Sequence, residues 1–118
     1  MDLVAAKPAC PYTTEWKLIY QARDINDTEV TVYQPDDGTE NGLQWFYTAT
    51  CDRAQIYREN PHCTNCCRGI DQNRFTSNCI PKKSYVMAYV KRREQSQYEW
   101  DWIQINTGCS CAVSNRHH

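Results

Sequence analysis

Aliphatic residues are scarce. Leu, Ile, Val and Phe together make 18 of 118 residues, too few for the single large apolar core that usually holds a domain of this length. Helical periodicity is almost missing: only "DRAQIYREN" (52–60) suggests a turn or two of helix, stopped by Pro61. No apolar run exceeds a few residues, which excludes a membrane-spanning helix. "MDLVAAKPAC" holds no apolar stretch of signal-peptide length, so a secreted protein would correspond to the mature part with Met1 added. An excess of one charge is also lacking. The formal net charge is -1, and phosphate binding needs concentrated positive charge, so nucleic acid is not an expected partner. Histidine is nearly absent from the body of the chain, where His62 stands alone. No Ser/His/Asp or Cys/His arrangement is readable, so no catalytic residue is expected and the chain does not read as an enzyme. Glu99 and Asp101 read as the solvated edge of a hairpin. There is no repeat and no low-complexity tract.

What the chain has instead is cysteine and aromatic rings. Eight Cys, eight Tyr, four Trp and two Phe in a near-neutral chain point to a disulfide-stapled fold, and the length leaves room for one domain. Strand signals dominate: "EVTVYQ" (29–34), "LQWFYTATC" (43–51), "SYVMAYV" (84–90) and "YEWDWIQI" (98–105), with "PDDGTENG" (35–42) as a turn region. The last two strands flank the charged tip "KRREQSQ" and read as one long hairpin. Period-two alternation puts Trp100, Trp102 and Gln104 on one face and Ile103 and Ile105 on the other. It likewise separates Tyr85, Met87 and Tyr89 from Val86, Ala88 and Val90. A sheet apolar on both faces needs cover on both. No helix supplies it, so either a second copy of the chain or a second sheet of the same chain must.

The cysteines admit several chemistries. Cys63-x-x-Cys66, with His62 beside it, has zinc-ligand spacing, but Cys109-x-Cys111 is too tight to supply the second pair of a structural site. A redox Cys-x-x-Cys would need a strand–helix context that is not present. No metal and no cofactor is expected, although an intracellular Cys-rich metal-binding module stays open as a rival of another class. A Cys-x-Cys pair in a strand points both side chains to one face. Two adjacent bridges from it to another segment would close a small ring, and a third bridge through that ring makes a cystine knot.

Particular stretches carry a family resemblance. "CRGIDQNRFTSNC" (67–79) and "WDWIQINTGCSC" (100–111) resemble the corresponding segments of neurotrophins, the nerve growth factor family. So do "DINDTEV" (24–30), "QWFYTATC" (44–51) and Trp16 after Cys10, and the likeness runs from Cys10 to Val113. The resemblance implies an all-β cystine-knot growth factor of elongated antiparallel hairpins. Its domain would span 10–111, with an N-terminal tail at 1–9 and a C-terminal tail at 112–118. The implied bridges are Cys10–Cys79, Cys51–Cys109 and Cys67–Cys111, the last two closing the ring and the first threading it. Between Cys51 and Cys67 this chain is longer than the vertebrate pattern and adds Cys63 and Cys66. A local Cys63–Cys66 bridge is the simplest use of that pair, and an intermolecular one the alternative.

The resemblance also implies a function: a secreted, extracellular homodimer that pairs two Trk-type receptor tyrosine kinases, without membrane insertion. Its dimer face would be Trp45, Phe46, Tyr47, Phe75, Tyr85, Trp100 and Trp102. Its receptor patch would be Trp16, Ile25 and Tyr85, with Gln104 standing where the family has a central arginine. Lysines that meet a second, acidic p75-type receptor are replaced here by Asn26 and Thr28, so steering toward such a partner is expected to be weak. Lys91, Arg92 and Arg93 either compensate or form a solvated turn. Asn26-Asp27-Thr28 is a glycosylation sequon. These departures fit an invertebrate or otherwise distant member. A Spätzle-like ligand of a Toll-type receptor, or a cystine-knot protein that sequesters other factors, would share the bridges but not "CRGID".

Overall fold

The computed structural model describes residues 8–38, 41–61 and 65–116. Its elements run β1 (Tyr12–Leu18), β2 (Gln21–Arg23), β3 (Glu29–Val32), β4 (Trp45–Cys51), α1 (Arg53–Glu59), β5 (Phe75–Arg92) and β6 (Glu99–Asn115). The strands form a six-stranded sheet in the order β1-β4-β6-β5-β3-β2. The four strands expected from alternation are all present, and β5 and β6 are neighbours joined by the charged tip. No second sheet is present among the described residues. The chain divides into two compact units. Among the described residues, one holds those within Met1–Thr13, Ala49–Lys82 and Gly108–His118, the other those within Thr14–Thr48 and Lys83–Thr107.

In the second unit the period-two pattern sorts the side chains as expected. Val30 and Val32 of β3, Ala88 and Val90 of β5, Ile103 and Ile105 of β6 and Phe46 of β4 form one buried cluster, with Ile19, Ala22 and Val86 against it. β3 pairs antiparallel with both β2 and β5. Past the end of β3, two glutamines replace a strand. Gln34 Nε2 donates to the carbonyls of Ile19 (3.0 Å) and Gln44 (2.8 Å). The Gln44 amide donates to Tyr33 O (2.7 Å) and accepts from Tyr89 N (2.8 Å). Backbone groups that the sheet leaves open are satisfied this way.

The first unit is built on sulfur. Cys10–Cys79, Cys51–Cys109 and Cys67–Cys111 are bridged. The latter two close a ring from residues 51–67 and 109–111. Cys10–Cys79 lies against it, with Cys67 Sγ 3.6 Å from Cys10 Sγ and 3.9 Å from Cys79 Sγ. This is the cystine knot. The sulfurs of Cys10, Cys79 and Cys109 lie within 4.8 Å of one another, a spacing that would suit a metal, but each is committed to a disulfide and has no thiolate to offer. Cys66 is oxidised as well; the expected Cys63–Cys66 pairing, like His62, lies outside the described residues.

Within the longer segment between Cys51 and Cys67, Arg53–Glu59 form helix α1. Asp52 caps it by accepting from Gln55 N (3.1 Å), and the helix ends at Asn60 before Pro61. Its one buried side chain, Ile56, packs among Cys10, Cys66, Cys67 and Cys79. The helix thus adds an aliphatic side chain to the buried cysteine cluster. "CRGID" anchors the surroundings. Arg68 forks onto Glu59 of α1 (2.8 and 2.9 Å) and donates to Pro8 O (3.2 Å), while its N–H donates to Ala9 O (2.8 Å). Gly69 has φ +77, a conformation open to glycine at no steric cost. Asp71 then starts a turn by accepting from Asn73 N (3.0 Å).

Ordered contacts reach into both expected tails. β6 continues to Asn115, and Arg116 donates to the carbonyls of Gln72 (2.7 Å) and Arg74 (3.0 Å). At the other end, Ala9 already packs against the knot. β1 and β2 carried no alternation signal because they are mostly exposed.

Replacing the threading bridge, as Cys10→Ser with Cys79→Ser, should cost about 2–5 kcal/mol. Ile56→Ala should cost roughly 2–4 kcal/mol by leaving a cavity in the cysteine cluster. Denaturant unfolding of oxidised protein measures both; an Ile56→Ala variant as stable as wild type would mean that Ile56 is not packed into that cluster.

Candidate functional site

The tip between β2 and β3 is built by one aspartate. Asp24 is 2% exposed, and its Oδ1 accepts from the N–H groups of Asn26 and Thr28, both at 2.9 Å. Asp24 N donates to Thr28 O and Asp27 N to Asp24 O, each at 3.0 Å. Asp27 takes φ 61, which a short Asx side chain tolerates. Arg23 donates to the Asp27 carbonyl at 2.8 Å. This local network fixes a short loop with Ile25 exposed at its tip.

A second network holds the loop to β5 and β6. Asp24 Oδ2 accepts from Arg92 Nε (3.2 Å) and Nη2 (2.8 Å). The same guanidinium pairs with Glu99 (2.9 Å) and with Asp101, whose other oxygen accepts from Trp102 N at 2.7 Å. Gln104 Nε2 donates to Asp24 O at 2.9 Å, beside a backbone bridge between Asp24 and Ile103. Burial pushes the Asp24 carboxyl up, but the Thr28 N–H, Arg92 and the Asn26 N–H outweigh it and hold the group below its ordinary value. For Asp101 the Arg92 guanidinium comes first, then the Trp102 N–H, and together they outweigh burial. Arg92 is correspondingly held in its charged form, chiefly by Asp101 and then by Asp24. Two expectations are corrected here. Arg92 is neither a solvated turn residue nor a free cation for a partner, and Asp101 is not a solvated edge.

Opposite the buried cluster, the same strands present aromatic rings to solvent. Trp100 is 64% exposed, Trp102 45%, Trp45 52%, Tyr47 53% and Tyr85 48%. Phe46 and Phe75 are the exceptions among the residues expected on this face. Phe46 is 7% exposed within the core cluster, because alternation along β4 turns it away from Trp45 and Tyr47. Phe75 is half-buried in the first unit, under Arg74 at 5.9 Å. Trp16 is exposed and its ring lies 5.2 Å from Tyr47, so a residue expected at the receptor touches one expected at the dimer face. Gln104 joins Ile25 through the Asp24 carbonyl, whereas Tyr85 has no ring partner among the described residues. The expected set omitted a cluster: Tyr89 lies 5.3 Å from Trp100 and 5.6 Å from Tyr98, and Tyr33 lies 5.0 Å from Tyr98. Alternation already places Tyr89 and exposed Met87 on this face; Tyr98 is in register with Trp100 and Trp102, and Tyr33 lies on the side of β3's line opposite Val30 and Val32, so both were within reach of the same pattern.

Comparison with known sequences now bears on this geometry. The sequence profile described as the nerve growth factor family matches residues 7–118. The chain belongs to the nerve growth factor family. It is 33% identical over 96 residues to neurotrophin-3 of Xenopus laevis and to that of Homo sapiens, covering 80% of this chain. With a venom nerve growth factor of Pseudechis porphyriacus it is 31% identical over 110 residues, 91% of this chain. The chain spans about a third of the length of the neurotrophin-3 relatives it matches (34% and 35%), and 42% of the venom factor. The three bridges of the knot all lie within the stretch that this family profile matches. Among the described residues no helix is long and apolar enough to cross a membrane.

Both aspartates of the loop network titrate lower in the folded chain than in the unfolded one. Their stabilisation is therefore complete above the unfolded carboxylate range near pH ~4 and is lost as pH falls through the lower folded values. Thermal melts should be flat from neutral pH down to about pH 5 and fall below about pH 4, with a shallower fall in Asp101→Asn. Arg92→Ala, which leaves buried Asp24 without its cation, should cost on the order of 3 kcal/mol at pH 7.

Proposed function

We propose that the chain is the active part of a secreted homodimeric growth factor that pairs two Trk-type receptor tyrosine kinases. The exposed face of Trp45, Tyr47, Tyr85, Trp100 and Trp102 carries this reading. Rings of this size contribute large contact areas and are enriched at interfaces. A contiguous apolar face rimmed by polar residues is what an interaction surface looks like. Two copies meeting about a two-fold axis would each cover the other's face.

Such a dimer holds two identical receptor patches at a fixed separation. Each engaged receptor raises the effective concentration of the next, which brings two kinase chains together. The patch consists of Trp16, Ile25, Tyr85 and Gln104. Gln104 spends its amide N–H on the Asp24 carbonyl, so it shapes the Ile25 loop and adds no charge. Binding energy then falls to apolar anchors, chiefly Trp16 and Ile25. Steering to an acidic p75-type receptor is weak, since Asn26 and Thr28 are neutral and Arg92 is engaged by three carboxylates.

Sedimentation of the oxidised protein should show a dimer, and Trp100→Ala with Trp102→Ala should shift it to monomer while the three knot bridges still form. A monomeric wild type at micromolar concentration would sink the dimer reading. Trp16→Ala and Ile25→Ala should each weaken binding to a Trk-type ectodomain by roughly tenfold or more without changing the sedimentation.

A further inference from the structure

The sequon Asn26-Asp27-Thr28 sits in the loop that presents Ile25, and the receptor reading leaves it unused. Asn26 is exposed and its backbone N–H is held by Asp24, but its side-chain amide has no partner among the described residues. The loop therefore depends on the main chain of residue 26 and on Asp24, not on the Asn26 side chain. A large substituent on Nδ2 would break no hydrogen bond of the loop. The flank beside it is polar. Thr28 lines an open recess of about 600 Å³ with Gln21, Glu29, Thr31, Lys91 and Arg93. Hydroxyls, an amide and charges of both signs are groups on which a sugar can lie without covering apolar surface.

We propose that Asn26 carries an N-linked glycan and that this glycan restricts access to Ile25. The second half rests on the receptor reading above; the first rests only on passage through a secretory compartment. The bond formed joins Asn26 Nδ2 to the anomeric carbon of an oligosaccharide. The bond broken joins that carbon to the pyrophosphate of a lipid-linked donor. The lipid pyrophosphate leaves with its electron pair, and the amide nitrogen gives up one of its two protons. No oxidant or reductant is involved. The product is bulky and hydrated, attached one residue from an exposed apolar anchor. It leaves the aromatic face on β4, β5 and β6 open, so dimerisation and receptor access are controlled separately.

The test is expression of the full chain in secretory eukaryotic cells, with intact mass read before and after peptide N-glycosidase. The expected result is a glycan mass that disappears on treatment and leaves aspartate at position 26, and that is absent from Asn26→Gln and Thr28→Ala. Protein secreted without any such mass overturns the assignment. The glycosylated, enzyme-treated and N26Q forms are then compared for association with a Trk-type ectodomain. The glycosylated form should associate roughly tenfold more slowly than the other two, with sedimentation unchanged. Equal rates with the glycan present would overturn the access half and leave the modification. Absence of binding by all three forms would overturn the receptor reading and the access half together, while the mass result still decides the modification.

Discussion

The Cys10–Cys79 bridge packed against Cys67–Cys111, with sulfurs 3.6 and 3.9 Å apart, is the contact on which the fold depends. The chain has too little aliphatic side chain to close a core by burial alone. Covalent links spanning 69, 58 and 44 residues restrict the unfolded ensemble instead, each by about 4 kcal/mol in the chain-entropy account. They also tie three strands at one place: Cys51 ends β4, Cys79 lies in β5, and Cys109 and Cys111 lie in β6. Ile56, buried among Cys10, Cys66, Cys67 and Cys79, gives this cysteine cluster a close-packed aliphatic member.

With the knot carrying that part of the fold, the second unit spends few aliphatics on its own core and keeps its largest side chains outside. Val90, Ala88 and Ile103 are fully buried on one face, while tryptophans and tyrosines of the same strands stand in solvent on the other. A single chain gains nothing from exposed indoles. A second copy laid over them would recover the burial, and that is why the face carries the functional reading. The Ile25 loop follows the opposite logic. It is shaped by ions and amides, with Asp24 at the centre, and its outward side chains are free for a partner. Charge here is structural: Arg92 is consumed by Asp24, Asp101 and Glu99.

Much of this was legible in the sequence, and for definable reasons. Alternation in 84–90 and 98–105 separated the two faces, because period two is a geometric property of a strand and needs no tertiary knowledge. The knot pairing came from the resemblance of "CRGID" and the terminal Cys-x-Cys, not from spacing. The resemblance implies Phe46 on the aromatic face together with Trp45 and Tyr47, whereas alternation along β4 sends it inward into the buried cluster. The extent of β5 was hidden because "FTSNCIPKK" is polar and contains Pro81. The Asp24–Arg92 pair joins residues 68 apart, and the role of Gln44 depends on reaching Tyr89, 45 residues away. Neither separation leaves a local signal. The tie of Gln104 to the Asp24 carbonyl was equally invisible, since a single glutamine in a strand is usually read as solvated.

Disulfide mapping of unreduced, protease-cut protein by mass spectrometry tests the central claim most directly. The account predicts peptides joined through Cys10–Cys79, Cys51–Cys109 and Cys67–Cys111. Any other pairing among these six cysteines, or any of the six recovered as free thiol, would contradict the knot.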